Sequence, residues 1–216
     1  MKCWSGNREG WSCMKYENQK HLLRYSLSEQ LTHGMQVSNL AYEVAKGIGF
    51  EEEECHNLAV AGMLHDIGKV TLMNAPELEN HPLVVEELKY VRMHPQTGYK
   101  ILKSQGYADD ICQSVLYHHE NFDGSGYPYN LEGRNIPRGA RILRICDVFC
   151  ALISDRPYRS AFSPEAAVEL MIDEIKNYDM RFFLAFQRVI HNNPDRKVKL
   201  PEITLDVRGE LRELWR

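Results

Sequence analysis

Two pairs of adjacent residues, His65-Asp66 and His118-His119, carry imidazole and carboxylate side chains of the kind that bind metal ions. Adjacent side chains point in diverging directions. One such pair could bind a single metal ion by chance. Two pairs, with further His and Asp residues at helical positions around them, predict a cage for more than one ion. A cage of His and carboxylate ligands suits iron or manganese, and it suits the hydrolysis of phosphate esters.

Three further positions add candidate ligands. Glu29 and His33 are four residues apart, which places both on one face of a helix. His94 stands before Pro95, and Asp147 lies in an otherwise apolar helical segment, where a carboxylate needs a partner such as a metal ion. Each also has an ordinary explanation when taken alone: a solvated helix face, a structural histidine, or the polar edge of an amphipathic helix.

The elements that must position these residues are helices, because apolar side chains recur with a helical period and strand patterns are nearly absent. The predicted helices run from about Gln19 to Gly47, Glu51 to Leu64, Pro82 to Arg92, Gln96 to Gly106, Asp109 to His119, Ala140 to Ser154, Ser163 to Asn177 and Met180 to His191. We therefore expect an all-α fold, with one domain over residues 19–193, a loose arm over 1–18 and a tail over 194–216. The arm is too short for a receiver or sensor domain, so we expect any regulation to come from elsewhere.

Composition excludes several classes of protein. The chain has 216 residues, of which 44% are hydrophobic and 26% charged, as in ordinary globular domains with a substantial core. A net charge of −4 and a pI of about 6.1 argue against duplex nucleic acid as a partner. No apolar run approaches ~20 residues, and the N-terminus lacks the apolar stretch of a secretory signal. The six cysteines form no CxxC pair, so we expect reduced thiols and a cytoplasmic protein with no membrane partner.

Taken together, the motifs resemble those of the HD-GYP phosphodiesterases, a branch of the HD metal-dependent phosphohydrolase superfamily. The first motif is His65-Asp66-Ile67-Gly68-Lys69. The second contains His118-His119-Glu120, Asp123-Gly124 and Gly126-Tyr127-Pro128, and the third joins Arg141-Ile142 and Asp147-Val148 to Ser154-Asp155-Arg156-Pro157-Tyr158-Arg159. The resemblance covers about residues 25–190, and the long second motif is its most specific part. It implies an HD-domain-like helical bundle with a C-terminal extension that is characteristic of the HD-GYP branch.

The resemblance also implies a metal site. The positions that match the metal ligands of the family are Glu29, His33, His65, Asp66, His94, His118, His119 and Asp147. Asp66 would bridge two ions. Glu29 falls where trinuclear members have an extra glutamate, which favours three ions over two. The implied cofactors are therefore two or three divalent ions, Fe(II) or Mn(II).

Further positions match residues that contact the substrate in the family. Lys69 falls where a lysine contacts the scissile phosphate, so Asp66 and Lys69 are the expected catalytic residues. Arg156 and Arg159 fall where basic residues bind the ligand, and Tyr127 is a further expected contact. Two cations would trap a bridging water and lower its pKa from about 15.7 toward neutrality, so that hydroxide attacks phosphorus in line.

The function that the resemblance implies is hydrolysis of cyclic di-GMP to the linear dinucleotide pGpG, to GMP, or to both. Two alternatives remain open at this point: hydrolysis of cyclic GMP-AMP, and a non-catalytic adaptor that binds ligand or diguanylate cyclase (GGDEF) proteins through the Gly-Tyr-Pro loop. A third, another HD hydrolase acting on other phosphates, fits the complete Gly-Tyr-Pro motif less well. Every ligand position that the resemblance identifies is filled, which favours an enzyme over an adaptor.

One position departs from the family pattern. Cys150 stands where the family has an aspartate that is not among the metal ligands. Cys146 lies one helical turn earlier on the same face, so a thiolate ligand is conceivable. Buried packing of two small side chains is the favoured interpretation.

Overall fold

The computed structural model of the protein describes residues 27–70, 91–156 and 159–192. The helices with defined bounds are α1 (Leu27–Ile48), α2 (Glu52–Leu64), α3 (His94–Ser104), α4 (Asp109–Tyr117), α5 (Arg138–Leu152), α6 (Pro164–Asp173) and α7 (Met180–Asn192), with 3-10 turns at Gly133–Asn135 and Ile175–Asn177. Over these ranges there is no β-strand, and extended pairing is limited to two isolated bridges. The predicted all-α fold is confirmed.

Several predicted helix boundaries differ from the structure by a few residues. Helix α3 begins at His94 instead of Gln96, because Pro95 is tolerated in a first turn, where its missing N–H has no partner to lose. Helix α5 begins at Arg138 instead of Ala140, directly after Pro137. Helix α6 ends at Asp173, and the residues that were expected to continue it form a separate 3-10 turn. The predicted arm, the start of the first helix, nearly all of the predicted helix from Pro82 and the tail lie outside the described residues.

Local capping explains where two helices begin. The Glu51 backbone N–H donates to the Glu54 side chain at 3.2 Å, one half of a capping box at the start of α2. The Ser163 hydroxyl accepts the Ala166 N–H at 3.2 Å, and Pro164 follows at the first helical position of α6. Both starts were predicted from the same residues.

Helices α1 and α2 pack closely enough to bring their polar residues together. A Cβ on Gly34 would lie 2.8 Å from the Met63 carbonyl oxygen, and one on Gly62 would lie 2.8 Å from the Ser38 Cα atom. Only glycine allows this approach. As a result the ring of His33 on α1 lies 5.2 Å from the ring of His65, which follows α2.

Helix α5 runs through the core. Its apolar side chains Ile142, Leu143, Ile145 and Phe149 are buried and pack against residues of α1, α4 and α7. The Phe149 ring meets the Phe186 ring of α7 at 5.0 Å in an edge contact, a geometry that aromatic pairs favour. This packing fixes α5 in place and with it the one carboxylate that the helix carries.

A buried ion pair ties α5 to the start of α7. The Arg141 guanidinium donates to the Asp179 carboxylate at 2.6 Å, and the two side chains are only 7% and 3% exposed. Arg181 donates to the same carboxylate at 3.0 Å. Removing one member of such a pair would leave the other charge buried without compensation.

Within the described ranges, no helix combines the length and apolar character that crossing a bilayer requires. The four cysteines in these ranges, Cys55, Cys112, Cys146 and Cys150, are buried free thiols.

Candidate metal centre

The predicted ligands converge from five helices that are far apart in sequence. His33 lies on α1, His65 and Asp66 follow α2, His94 opens α3, His118 and His119 follow α4, and Asp147 lies on α5. Three groups have ligand atoms within 4.8 Å of one another: His94 with His118 and His119; His33 with His65 and Asp66; and His65 with His118 and Asp147. Seven of the eight predicted ligands belong to these groups.

Three of the histidines are held by the same local device. In each, Nδ1 lies within hydrogen-bond distance of the main-chain oxygen three residues earlier: His65 with Gly62 at 2.7 Å, His94 with Val91 at 2.6 Å and His118 with Val115 at 2.7 Å. A carbonyl oxygen can only accept, so Nδ1 carries the hydrogen and a neutral ring leaves Nε2 with its lone pair. This is how proteins orient histidines toward a metal ion.

The Nε2 atoms of His94 and His118 lie 3.2 Å apart. With both Nδ1 atoms donating to carbonyl groups, two neutral rings would present lone pairs to each other, which is unfavourable without a cation or a proton. Two nitrogen ligands about 2.1 Å from a shared ion are about 3.0 to 3.4 Å apart at angles between about 90° and 110°. The separation therefore fits two ligands of one ion.

The two carboxylates lie among the histidine nitrogens. Asp147 Oδ1 lies 3.0 Å from His33 Nε2 and 3.6 Å from His65 Nε2. Asp66 Oδ2 lies 3.4 Å from His65 Nε2, and its Oδ1 lies 3.2 Å from His94 Nε2. Asp66 thus touches residues of two ligand groups, as a bridging carboxylate must.

The charges of the centre favour ionised carboxylates. Burial opposes ionisation of Asp66, but the charges of His65 and Lys69 outweigh it and hold its pKa well below the usual range. Burial also opposes ionisation of Asp147, but the hydrogen bond from His33 and the charges of His65 and His33 hold its pKa well below the usual range. Burial disfavours the charged form of His65, yet the carboxylates raise its pKa to about 9. The two aspartates therefore stabilise positive charge between them.

The pKa values of the adjacent His118 and His119 are both lowered, which favours their neutral forms. Burial, reinforced by the neighbouring His119, His65 and His94, lowers the pKa of His118 well below its usual range. Burial likewise lowers the pKa of His119 to about 3. Neutral imidazoles are the form that binds metal ions.

Four buried polar atoms have no hydrogen-bond partner among the described residues, and three of them belong to the ligand groups: His33 Nδ1, His65 Nε2 and Asp66 Oδ1, the fourth being Arg141 Nε in the ion pair with Asp179. Leaving such atoms buried without a partner is costly. The three atoms of His33, His65 and Asp66 lie within the ligand groups, and a donor set of imidazole and carboxylate suits a divalent transition metal. The residues therefore fit a metal centre, and their number allows more than one ion.

Glu29 and Lys69 occupy different places relative to the cluster. Glu29 lies one turn before His33 on α1, is exposed, and belongs to none of the three ligand groups found among the described residues. Lys69 Nζ lies 2.7 Å from Asp66 Oδ2, so its charge is at the edge of the cluster. The predicted lysine contact with a phosphate would begin from this position.

The loop after His119 folds back over the cluster. The Tyr127 ring stacks on the His119 ring at 4.7 Å, and the Tyr127 N–H donates to the His119 carbonyl at 3.2 Å. A Cβ on Gly126 would lie 2.2 Å from the Asn121 backbone nitrogen, so only glycine fits there. Tyr127 is thereby placed beside a metal-ligand candidate, where it can contact a substrate.

Glu120 has a role that sequence reasoning missed. It is 2% exposed, and its carboxylate accepts the backbone N–H groups of Tyr129 at 2.7 Å and Leu131 at 3.1 Å. It therefore holds the far side of the Gly-Tyr-Pro loop. The available signal was an acidic residue directly after two ligand histidines, in a loop that needed backbone partners.

Two arginines near Tyr127 were also missed. The guanidinium carbon of Arg92 lies 5.4 Å from the centre of the Tyr127 ring. Arg144 donates through Nε to the Asn121 side-chain oxygen at 3.0 Å. The spacing of Arg144, three residues before Asp147 on a helix, places both on one face and was a readable signal. Arg92 precedes His94 by two residues and carried no such signal.

Arg156 and Arg159 pair with each other beyond the end of α5. The two residues exchange backbone hydrogen bonds at 2.8 and 2.9 Å. The Arg159 guanidinium donates to the carbonyl oxygens of Leu152, Ser160 and Ala151 at 3.0, 2.8 and 3.0 Å. Arg159 thus satisfies carbonyl groups at the C-terminus of α5, where positive charge is favourable.

The thiols near Asp147 are packing residues. Burial raises the pKa of the Cys146 thiol well above its usual range, and burial also raises the pKa of Cys150. Both stay protonated, and neither belongs to a ligand group among the described residues. This agrees with the interpretation of Cys146 and Cys150 as buried small side chains.

Comparison with known families gives one family match. The model described as HD domain matches residues 17–182. Among characterised relatives, the cyclic di-GMP phosphodiesterase response regulator RpfG of Xanthomonas campestris is 40% identical over 134 residues, covering 61% of this chain and 35% of the relative. The 3'3'-cGAMP-specific phosphodiesterase 1 of Vibrio cholerae is 34% identical over 145 residues, covering 66% and 33%. The chain spans about one third of the length of these two relatives.

A solved structure shares the fold. Bd1817, described as an HDG"Y"P protein from Bdellovibrio bacteriovorus, superimposes with a TM-score of 0.60 at 19% identity, covering 84% of this chain and 60% of that one. The predicted HD-domain-like helical bundle is confirmed.

Proposed function

Because the chain belongs to the HD domain family, we propose that it is a metal-dependent phosphodiesterase that hydrolyses a cyclic dinucleotide, cyclic di-GMP in the first instance. The resemblance to the HD-GYP phosphodiesterases is confirmed by the relatives and by the shared fold. The substrate is taken from the names of relatives that share only part of their length with this chain. The observation that carries the proposal is the buried cluster in which His94 and His118 present Nε2 atoms 3.2 Å apart beside Asp66.

The seven residues of the three ligand groups would hold the ions. Asp66 contacts His65 and His94, which belong to different groups. Bound divalent ions would polarise a phosphate oxygen and generate a nucleophile from water at neutral pH. The chain supplies the rest. The carbonyl groups that bind Nδ1 of His65, His94 and His118 fix the direction of each Nε2 lone pair before substrate arrives.

Lys69 would stabilise the charge that develops on the phosphate during attack. Its ammonium group lies 2.7 Å from Asp66, which keeps it at the edge of the cluster. A lysine on a flexible side chain can turn from this carboxylate to a phosphate oxygen at short distance. The ring of Tyr127, stacked on His119, would form one wall for the substrate. Asp66 and Lys69 are therefore the proposed catalytic residues, and Tyr127 and Arg156 the proposed substrate contacts.

Arg159 remains a proposed substrate contact, although its guanidinium is already hydrogen-bonded to main-chain oxygens. Its N–H groups donate to carbonyl oxygens at the end of α5 and at Ser160. To touch a nucleotide it would exchange some of these bonds, or it would position Arg156, with which it pairs through the backbone.

We propose Fe(II) or Mn(II) as the metal, because a mixed set of histidine and carboxylate ligands suits both. Two ions are supported by the three overlapping ligand groups. A third ion is proposed next to Glu29, one turn from His33, where a carboxylate on the same helix face can complete a ligand set.

A second substrate has a specific observation in its favour. Three relatives from Vibrio cholerae are named as 3'3'-cGAMP-specific phosphodiesterases. Cyclic GMP-AMP differs from cyclic di-GMP in one base and presents the same two phosphates to the cluster. A non-catalytic role that engages diguanylate cyclase proteins through the Gly-Tyr-Pro loop is the remaining alternative. For location we propose the cytoplasm, where buried free thiols such as Cys112 persist.

The test is an anaerobic assay of protein loaded with Fe(II) or Mn(II). Cyclic di-GMP and cyclic GMP-AMP are supplied separately, and products are separated by chromatography. We expect linear dinucleotide or GMP from cyclic di-GMP, with activity lost on adding a chelator. GMP as the end product would favour three ions. Turnover of cyclic GMP-AMP alone would transfer the assignment to that substrate, and no turnover by fully metal-loaded protein would contradict an enzymatic function.

A further inference from the structure

We infer that Arg92 and Arg144 form a second anion site beside the metal centre, which binds the phosphate of a cyclic dinucleotide that is not being cleaved. This inference rests on the proposed function and adds a determinant of its specificity. It explains why a substrate with two phosphates in one ring would be preferred over a simple phosphodiester.

The geometry places Arg92 over the Tyr127 ring and Arg144 beside the loop that carries this ring. Tyr127 stacks on His119 at 4.7 Å, and the Arg92 guanidinium lies 5.4 Å from the Tyr127 ring centre. Arg144 donates through Nε to Asn121 at 3.0 Å, and Asn121 follows His119 by two residues. Two guanidinium groups are therefore held near the ring that borders the metal centre.

Backbone packing agrees with this placement. A Cβ on Gly126, which precedes Tyr127, would lie 2.2 Å from the backbone nitrogen of Asn121, so the partner of Arg144 packs directly against the segment that carries Tyr127. Among the described residues, neither guanidinium forms an ion pair with a carboxylate. The bond to Asn121 uses only Nε–H of Arg144, and a guanidinium has four further N–H groups for an anion.

The chemistry of the substrate requires such a site. A cyclic dinucleotide carries two phosphodiester groups on opposite sides of one ring, each with a negative charge. When one phosphate meets the metal centre and Lys69, the other must lie to one side of it. Arginine suits this phosphate because its planar fork can bind two oxygens at once.

Other cations near the centre are already engaged. Lys69 lies 2.7 Å from Asp66 and serves the phosphate that is cleaved. Arg159 donates to three main-chain oxygens around the end of α5. Arg156, a proposed substrate contact, lies beyond the end of α5, whereas Arg92 and Arg144 lie beside the loop that borders the metal centre, so we assign the second phosphate to Arg92 and Arg144.

The experiment compares two substrates on the full chain loaded with Mn(II). Cyclic di-GMP has two phosphates, and bis(p-nitrophenyl) phosphate has one. The variants are Arg92→Gln, Arg144→Gln and Arg144→Lys, with Arg188→Gln as the matched control, because Arg188 is an exposed arginine on α7. Metal content is measured for every variant, so that loss of an ion is seen directly.

We expect Arg92→Gln and Arg144→Gln each to raise KM for cyclic di-GMP by roughly 10- to 100-fold, the usual effect of losing a hydrogen bond to a charged group. Metal content and the rate with bis(p-nitrophenyl) phosphate should stay within about twofold of the wild type, since that substrate has no second phosphate to lose. Arg144→Lys should recover part of the KM, because the positive charge remains. Arg188→Gln should match the wild type on both substrates.

Three outcomes would overturn the inference. Equal losses on both substrates would place the arginines at the metal centre or in folding. If the wild type hydrolyses cyclic di-GMP and the Arg92→Gln and Arg144→Gln variants keep its KM, the second anion site is excluded while the proposed function stands. An Arg144→Lys variant as impaired as Arg144→Gln would assign Arg144 to holding Asn121. A wild type that cleaves bis(p-nitrophenyl) phosphate but no cyclic dinucleotide would instead remove the proposed function, and the second anion site with it.

Discussion

His94 and His118 present their Nε2 atoms to each other across 3.2 Å, while each Nδ1 donates to a main-chain oxygen in its own segment. Neither ring can turn to relieve this contact without losing its carbonyl partner. The arrangement is favourable only with positive charge between the nitrogens, which is the property of a preformed metal site.

This relationship predicts the effect of removing a ligand. His118→Ala and Asp66→Ala should each abolish measurable turnover and lower the number of bound ions, because the remaining ligands cannot hold the ions in place. Metal content by elemental analysis and turnover of the cyclic dinucleotide are the measurements. The control is His56→Ala, an exposed histidine on α2, which should retain both. Circular dichroism should show helical content in all three, and wild-type turnover in either ligand variant would refute the cluster as the catalytic centre.

Glu29 decides between two ions and three. Glu29→Ala should remove at most one ion per chain, since Glu29 belongs to none of the three ligand groups among the described residues. The measurement is metal content after loading under nitrogen, with Glu43→Ala, an exposed glutamate of α1, as the control. A metal count that stays at the wild-type value would reduce the centre to two ions.

The glycine of the first motif is a packing requirement. A Cβ on Gly68 would lie 2.0 Å from the His94 carbonyl oxygen, so Gly68→Ala must displace the segment that carries a ligand. We expect a loss of about 1–3 kcal/mol in the free energy of unfolding, together with weaker metal binding. Urea denaturation and metal titration measure the two effects.

Gly47→Ala is the matched control for Gly68→Ala. A Cβ there would lie 3.6 Å from a Val189 methyl group, an ordinary contact, and Gly47 lies within α1. Alanine should therefore be neutral or stabilise by about 0.5–1 kcal/mol, because glycine is unfavourable in a helix. Equal stability of the Gly68 and Gly47 variants would show that the first motif tolerates a side chain.

The buried pair of Arg141 and Asp179 predicts a stability effect away from the metal centre. Asp179→Asn should lower the free energy of unfolding by about 3 kcal/mol, because Arg141 would keep a buried charge without its partner. Asp173→Asn, an exposed aspartate at the end of α6, should change it by less than about 0.5 kcal/mol. Chemical denaturation at pH 7 measures both.

The same pair predicts how that difference depends on pH. Burial opposes ionisation of Asp179, but hydrogen bonds from Arg181 and Arg141 hold its pKa below the usual value. A depressed folded-state pKa gives a contribution that is complete above the unfolded value of about 3.9 and is lost as the pH falls below it. The gap between wild type and Asp179→Asn should therefore narrow below about pH 4. A gap that widens in acid would contradict the assignment.

The hydrogen bonds of Arg159 predict that this residue stabilises the folded chain even without a bound nucleotide. Arg159→Ala should lower the free energy of unfolding by about 1–2 kcal/mol, because carbonyl oxygens of Leu152 and Ala151 lose their donor. Arg188→Ala on the surface of α7 serves as the comparison. If the two variants unfold at the same urea concentration, the hydrogen bonds of Arg159 contribute little, and its role would be the nucleotide contact that the resemblance implies.

Much of the fold was readable because it depends on local rules. Ser163 and Pro164 predicted the start of α6, and the helical period of apolar residues predicted α5. The errors at His94 and Asp173 arose where a helical turn is permitted but not required by the local sequence. Pro95 allows a helix to begin two residues earlier than predicted, at His94, and the chain after Asp173 tightens into a 3-10 turn.

The sequence by itself determined the ligand types and the family, because histidines and aspartates at these spacings serve few other purposes together. It could not determine which nitrogen of His94 or His118 faces the cluster, since that depends on carbonyl groups placed by the helix ends. Nor could it bring Arg144 near the Gly-Tyr-Pro loop or assign Arg159 to the end of α5. These contacts join segments that are far apart in the chain or depend on how the chain continues after a helix end. Only packing in three dimensions therefore decides them.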